Sequence, residues 1–177
     1  ACGFARRLAD AGWRGIHVAV NLSPRQLAAA DFIDKVESIL AETGIEPQQL
    51  ELEVTENVLI ESMEESIRKL AGLRALGIGV ALDDFGTGYS SLTYLRRLPV
   101  SILKIDKSFN DGILDDSEQA EYVGFIIDLA HALHLRVVAE GVEIPAQIDK
   151  LQELDCDAIQ GFVFSHPLPE AEVVDLL

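Results

Sequence analysis

Residues 78–106, IGVALDDFGTGYSSLTYLRRLPVSILKID, decide the fold. The run Ile78 to Leu82 reads as a strand, Ser91 to Arg97 as a short helix closed by Pro99, and Ile102 to Ile105 as a second strand. Upstream, Ile16 to Leu22 (IHVAVNL) and Leu50 to Val54 (LELEV) alternate as strands do. After the first of these, Ser23-Pro24-x-Gln26 supplies an N-cap, a proline at the first helical position and a capping-box partner. A helix is expected from Asp31 to Glu42, ending at Gly44. Another follows the capping box Ser62-x-x-Glu65, with the stripe Ile67, Leu70, Leu73 and Leu76 stopped by Gly77. Downstream, Glu118 to Leu133 reads as a helix, Arg136 to Ala139 as a strand and Pro145 to Leu154 as a helix. Ala158 to Phe164 reads as a strand, and a last helix starts near Glu170. Phe4 to Ala11 is an opening helix. Strands alternating with helices give βα units and a parallel sheet, either doubly wound or closed as a barrel.

Composition bounds what this fold does. The 177 residues are 49% hydrophobic and a quarter charged, which suits one globular domain and excludes disorder. No apolar run is long enough for a bilayer, since Val123 to Leu135 is interrupted by Asp128, His131 and His134. No secretory signal is visible, and Cys2 and Cys156 lie far apart, so they read as free thiols of a cytoplasmic protein. The chain opens on Ala-Cys-Gly and enters a helix at once, as a piece of a longer polypeptide would. Thirty acids against fourteen Lys and Arg give a charge of −16, which repels nucleic-acid polymers and anionic membranes. A small anionic ligand held through divalent metal remains compatible with that charge.

The residues at and just past each strand end are Asn21; Glu53 and Glu56; Asp83 and Asp84; Lys104 and Asp106; Glu140 and Glu143; and Gln160. In a parallel α/β fold these ends share one face, where active sites form. Helix capping accounts for a single Asp, but it does not call for repeated Glu or for Lys. Clustered carboxylates repel unless a cation sits among them, and oxygen ligands of this kind suit Mg²⁺ or Mn²⁺ rather than zinc. The residues therefore point to metal-assisted phosphoryl chemistry, with Lys104 meeting an anionic substrate. The segment Asp83 to Leu92 carries two glycines, which suit either a loop that moves over the site or a plain βα turn.

The motifs Asn21-Leu22-Ser23-Pro24, Glu51-Leu52-Glu53-Val54-Thr55-Glu56, Asp83 to Leu92 (DDFGTGYSSL), Leu98-Pro99 with Leu103-Lys104-Ile105-Asp106, Ala139-Glu140-Gly141-Val142-Glu143, and Gln160-Gly161-Phe162 with Pro167-Leu168-Pro169 stand in one order. In that order and spacing, over the whole chain, the sequence resembles the EAL-domain family. These are bacterial cyclic di-GMP phosphodiesterases on a TIM-like (β/α)8 barrel. The resemblance implies hydrolysis of cyclic di-GMP to linear pGpG at a two-metal site of Mg²⁺ or Mn²⁺. By resemblance, Asn21, Glu53 and Asp83 would hold one ion, and Asp83 and Asp84 would help hold the second. Lys104 would lie beside the attacking water and the scissile phosphate, and Glu140 would be the general base or a ligand of metal-bound water. Glu56 would anchor the substrate loop that includes Phe85, Gly86, Thr87 and Gly88, and Asp106, Glu143 and Gln160 would complete the supporting shell. The resemblance further implies a homodimer and fusion to sensory or diguanylate cyclase domains, with any membrane attachment through other segments.

The departures from the family pattern are specific. The Glu-Ala-Leu motif of the first strand, the Arg after it and the second strand are absent, leaving six of eight strands and an incomplete barrel. The missing Glu is a family metal ligand, so weak metal binding and slow turnover are expected of the chain as it stands. The alternative is a non-catalytic cyclic di-GMP receptor or protein-interaction domain. Phe162 stands where the family commonly has Tyr, and His166 where it has Arg. Elsewhere, His131 and His134 are expected at a helix surface, Trp13 as a core anchor and Cys156 as a buried small hydrophobe.

Overall fold

The computed structural model describes residues 1–56, 63–86 and 92–177, apart from the side chains of residues 93 and 94. In chain order the elements are α1 (Cys2–Asp10), β1 (Val18–Asn21), α2 (Pro24–Ala28), α3 (Phe32–Thr43), a 3-10 turn (Pro47–Gln49), β2 (Leu50–Thr55) and α4 (Met63–Ala75). There follow β3 (Gly79–Phe85), α5 (Leu92–Leu95), β4 (Ile102–Ile105), α6 (Lys107–Asn110), α7 (Ser117–Ala132), β5 (Arg136–Ala139), α8 (Pro145–Glu153), β6 (Ala158–Ile159) and α9 (Glu170–Leu176). The strands form one sheet in the order β1-β2-β3-β4-β5-β6, and all five neighbouring pairs are parallel. The sheet is a half-barrel, an incomplete form of the expected (β/α)8 architecture.

Side chains alternate across each strand, and that alternation divides core from site. Val54, Val80, Leu82, Leu103, Ile105, Val137 and Ala139 are buried beneath the helices, with Leu70 and Leu73 of α4, Val123, Ile126 and Ile127 of α7, and Leu151 of α8. Each such aliphatic side chain contributes about 1.5–3 kcal/mol on burial. The alternate positions carry Glu53 on β2, Asp83 on β3 and Lys104 on β4, all turned to the concave face. Local signals behave as read. The Ser23 Oγ accepts the Gln26 N–H while Gln26 Oε1 accepts the Ser23 N–H at 3.1 Å, closing the capping box of α2. Gly44 and Gly77 end their helices with φ of +65° and +90°, a region glycine enters without a Cβ penalty.

Several expectations need correction. The first strand is shorter, Val18–Asn21, and the third is longer, because Asp83 to Phe85 continue it through a register shift. The strand expected from Ala158 to Phe164 stops at Ile159. Past it, the Val142 N–H donates to the Gln160 carbonyl at 3.1 Å and the Val163 N–H to the Val142 carbonyl at 3.0 Å, so the chain wraps round Val142 instead of extending. Gly161 sits so tightly there that a Cβ would fall 2.0 Å from the Val142 oxygen. Trp13 is no core anchor, being 41% exposed on the loop into β1. Cys156 is half-buried, with its thiol donating to the Ala158 carbonyl at 3.2 Å and its pKa raised by burial. His131 closes on Asp157 at 2.9 Å, in keeping with packing at the helix surface. The cap expected at Ser62 and the expected helix start at Ser91 lie outside the described residues. Among the described residues no helix is long and apolar enough to cross a membrane.

Candidate active site

Lys104 organises the concave face. Its neighbours Leu103 and Ile105 are fully buried on the helix side, which turns Lys104 inward, where it is 3% exposed. Its Nζ lies 2.5 Å from Glu53 Oε1, 2.6 Å from Glu140 Oε1 and 3.1 Å from Asp83 Oδ1. Burial alone would lower the lysine pKa. The hydrogen bonds and charges of Glu140 and Glu53 outweigh it and hold the pKa above the usual lysine range. Glu53 reaches this point from β2, where it stands beside Asn21 across the ladder to β1. Glu140 continues β5, its N–H donating to the Ile105 carbonyl at 3.0 Å. Burial raises the Glu140 carboxyl pKa, and nearby Lys104 offsets this only in part.

The end of β3 brings in a fourth carboxylate. The register between β3 and β4 shifts between Leu82 and Phe85, and Asp84 takes φ +53°, a left-handed conformation that Asp tolerates better than most residues. Consecutive strand residues would face opposite sides; this irregularity instead brings ligand oxygens of Asp83, Asp84 and Glu140 within 4.8 Å of one another. The Asp84 pKa is raised, first by burial and then by the charges of Asp83 and Asp106.

Glu53, Asp83 and Glu140 thus surround one ammonium with Asp84 beside them, an imbalance that favours added positive charge. The donors are all hard oxygens, which suit Mg²⁺ or Mn²⁺. Asp83 Oδ1 is buried and, although within ion-pair distance of Lys104, makes no hydrogen bond among the described residues, so it is an atom a cation would satisfy. The residues present therefore fit divalent metal.

The remaining expected residues lie around this cluster. Glu56 is 6% exposed; its Oε1 accepts the Gly86 N–H at 3.2 Å, and its buried Oε2 has no hydrogen-bond partner among the described residues. Gly86 has φ +97° and lies against the Phe109 ring, which would come within 2.5 Å of a Cβ. Phe85 is buried at the end of β3, while Thr87 and Gly88 lie outside the described residues. Asp106 caps α6, accepting from the Ser108 N–H at 3.0 Å and the Ser108 hydroxyl at 2.5 Å, and these bonds lower its pKa. Glu143 pairs with Lys107 at 2.5 Å on the surface, and Gln160 is exposed just past β6. The structure therefore gathers Glu53, Asp83, Asp84, Lys104 and Glu140 and leaves Asp106, Glu143 and Gln160 at the margin.

Two buried polar residues beside the site, Asn110 and Gln147, escaped the sequence reading. Gln147 stands three positions into α8, from where its Oε1 reaches back to accept the Ile144 N–H at 3.2 Å, but Ile144 offers no side-chain oxygen to complete a capping-box signal. Asn110 carries no local signal.

Known proteins resemble the chain over most of its length. The family model described as the EAL domain matches residues 1–167. The chain is 45% identical over 177 residues to cyclic di-GMP phosphodiesterase NbdA of Pseudomonas aeruginosa, covering 100% of this chain and 23% of that protein. It is similar to the solved structure of the PaMucR phosphodiesterase in complex with c-di-GMP, with a TM-score of 0.91 and 43% identity, covering 98% of this chain and 70% of that one. It is also similar to Klebsiella pneumoniae BlrP1 in its manganese/cy-diGMP complex, with a TM-score of 0.84 and 30% identity over 94% of this chain and 43% of that one. The chain spans about a quarter of the length of the curated relatives it matches.

Proposed function

The chain belongs to the EAL domain family, and on that premise we propose that it hydrolyses one phosphodiester of cyclic di-GMP to give linear pGpG. The observation that carries the proposal is the buried Lys104 among Glu53, Asp83 and Glu140, with Asp84 brought in by the break in β3. Glu53, Asp83 and Asp84, with Asn21 beside Glu53, would hold Mg²⁺ or Mn²⁺. When bound, the ions would supply Lewis-acid stabilisation of phosphate charge and a water made acidic enough to attack.

The chain's own residues account for the rest. Lys104, kept protonated by its carboxylate partners, presents fixed positive charge to the scissile phosphate in a protein of net charge −16. The raised pKa of Glu140 suits it to accept the proton of the attacking water. Water oxygen bonds to phosphorus as its proton passes to Glu140, the bond from phosphorus to the 3′-oxygen breaks, that oxygen takes a proton from solvent water, and Glu140 returns its proton to solvent. Glu56, bonded to the Gly86 N–H, fixes the start of the loop that follows β3. Homodimer formation belongs to the same reading and is checked by sedimentation.

The test is turnover of cyclic di-GMP with Mg²⁺ or Mn²⁺, followed by chromatography, with Glu140→Gln as control. Formation of pGpG by the wild type and not by the control supports the proposal. Binding of the nucleotide with no product overturns it in favour of a non-catalytic receptor.

A further inference from the structure

We propose that Asn110 and Gln147 form a buried clamp that positions Glu140, a role that rests on the phosphodiesterase reading above. Asn110, at the end of α6, is fully buried, and its Nδ2 donates to the Glu140 carbonyl at 2.6 Å. Gln147, on α8, is 7% exposed; its Nε2 donates to the Asn110 carbonyl at 3.0 Å. The Gln147 Oε1 accepts the N–H groups of Glu143 at 2.8 Å and Ile144 at 3.2 Å. The turn from Glu140 to Ile144 is thus held at its first carbonyl and its last two amides, and the two holds are bonded to each other. In between, Gly141 has φ +65° and packs under Lys107, whose carbons would come within 2.4 Å of a Cβ. The turn has little room to shift.

None of these bonds touches a carboxylate, so the clamp acts through the backbone. The Glu140 carboxylate nonetheless depends on it, because its contacts with Lys104, Asp83 and Asp84 are fixed by where the turn begins. Asn110 also carries a cost, since its Oδ1 is buried without a partner among the described residues. A buried unsatisfied acceptor is uncommon and calls for an explanation. The bond from the same side chain to the Glu140 carbonyl supplies one. An apolar side chain of similar size would remove the unsatisfied atom and lose the positioning.

That contrast separates positioning from structural support. Asn110→Leu and Gln147→Leu are compared with wild type in the complete polypeptide that carries these residues. Mn²⁺ affinity is read by electron paramagnetic resonance, turnover by pGpG formation, and amide exchange at Glu143 and Ile144 in metal-free protein. Asn110→Leu is expected to melt within about 4 °C of wild type. Both variants are expected to lose about 10–100-fold in Mn²⁺ affinity or kcat, the usual effect of removing an outer-shell partner, with KM little changed. Exchange at residues 143 and 144 accelerates in Gln147→Leu and is restored in Gln147→Glu, which keeps the accepting oxygen. Unchanged affinity, kcat and exchange overturn the clamp. If the wild type binds Mn²⁺ but forms no pGpG, the phosphodiesterase reading fails, while the affinity and exchange comparisons still decide the clamp. A wild type that binds no Mn²⁺ overturns both.

Discussion

Replacing Lys104 by methionine keeps most of the side chain's length and removes its charge. Glu53, Asp83 and Glu140 are then left buried without a counter-ion, with side chains 7%, 11% and 17% exposed. Removing one partner of a buried ion pair costs about 3–5 kcal/mol, a large share of a typical domain stability of about 5–15 kcal/mol. At about 2–4 °C per kcal/mol for a chain of this size, Tm in chelator at pH 7 should fall by about 6–20 °C. The choice of pH follows from the sign of the shift. A lysine whose folded pKa is raised contributes stability fully present below its unfolded value, near 10.4, and lost as pH rises through the folded value, so pH 7 reads the whole effect. Moving toward pH 5 should narrow the gap, because protonating Glu140, whose pKa is raised, removes part of the stranded charge. Mn²⁺ should raise Tm more in the variant than in the wild type, since it replaces the missing charge. Differential scanning fluorimetry with and without Mn²⁺ measures all three. A variant that melts like wild type in chelator, or that gains less from Mn²⁺, would refute Lys104 as the counter-cation of these carboxylates.

Glu56→Ala removes the acceptor of the Gly86 N–H, and kcat for cyclic di-GMP should fall about 10–100-fold with the melting temperature nearly unchanged, as steady-state kinetics will show. Gly161→Ala places a Cβ against the Val142 backbone, which cannot swing aside as a side chain can. Chemical denaturation should show a loss of about 1–3 kcal/mol or more. For Asp157, burial raises the carboxyl pKa, but the Val137 N–H and His131 outweigh it, and the net pKa is lowered. Its contribution is therefore present above the ordinary Asp value of about 3.9 and lost as pH falls through the lowered one. Stability measured from pH 5 downward should consequently fall less steeply in Asp157→Asn than in wild type.

Much of this was legible because the signals are local. The apolar runs at Ile102 to Ile105 and Arg136 to Ala139 match β4 and β5, and Ser23-Pro24-x-Gln26 forms the cap it encodes. The cluster of Glu53, Asp83, Asp84, Lys104 and Glu140 was readable since parallel strands must put their C-terminal ends on one face. What escaped depends on contacts distant in sequence. Ala158 to Phe164 has strand composition, but Gly161 must pass close to Val142, and only the folded chain reveals that approach. Trp13 is an aromatic of the kind that anchors a core, but it sits on the loop into β1 and is 41% exposed. Asp106 was expected in the supporting shell, and the placement of Ser108 gives its oxygen to the cap of α6. Asn110 is polar in a short helix, and nothing near it in sequence announces the Glu140 carbonyl thirty residues on.

The strand order also bears on how the domain comes apart. Among the described residues each strand pairs only with those before and after it in the chain, so β2, β3, β4 and β5 are each bonded on both sides. Asn21 stands on the first strand, and Gln160 follows the last, which has only two residues. Glu53, Asp83, Lys104 and Glu140 belong to or directly extend the four strands between. Lys104 and its carboxylate partners therefore stand on or beside strands that have a neighbour on each side. In native-state hydrogen exchange the amides of β3 and β4 should be the last to open, making the charged centre of the site also the most persistent part of the fold.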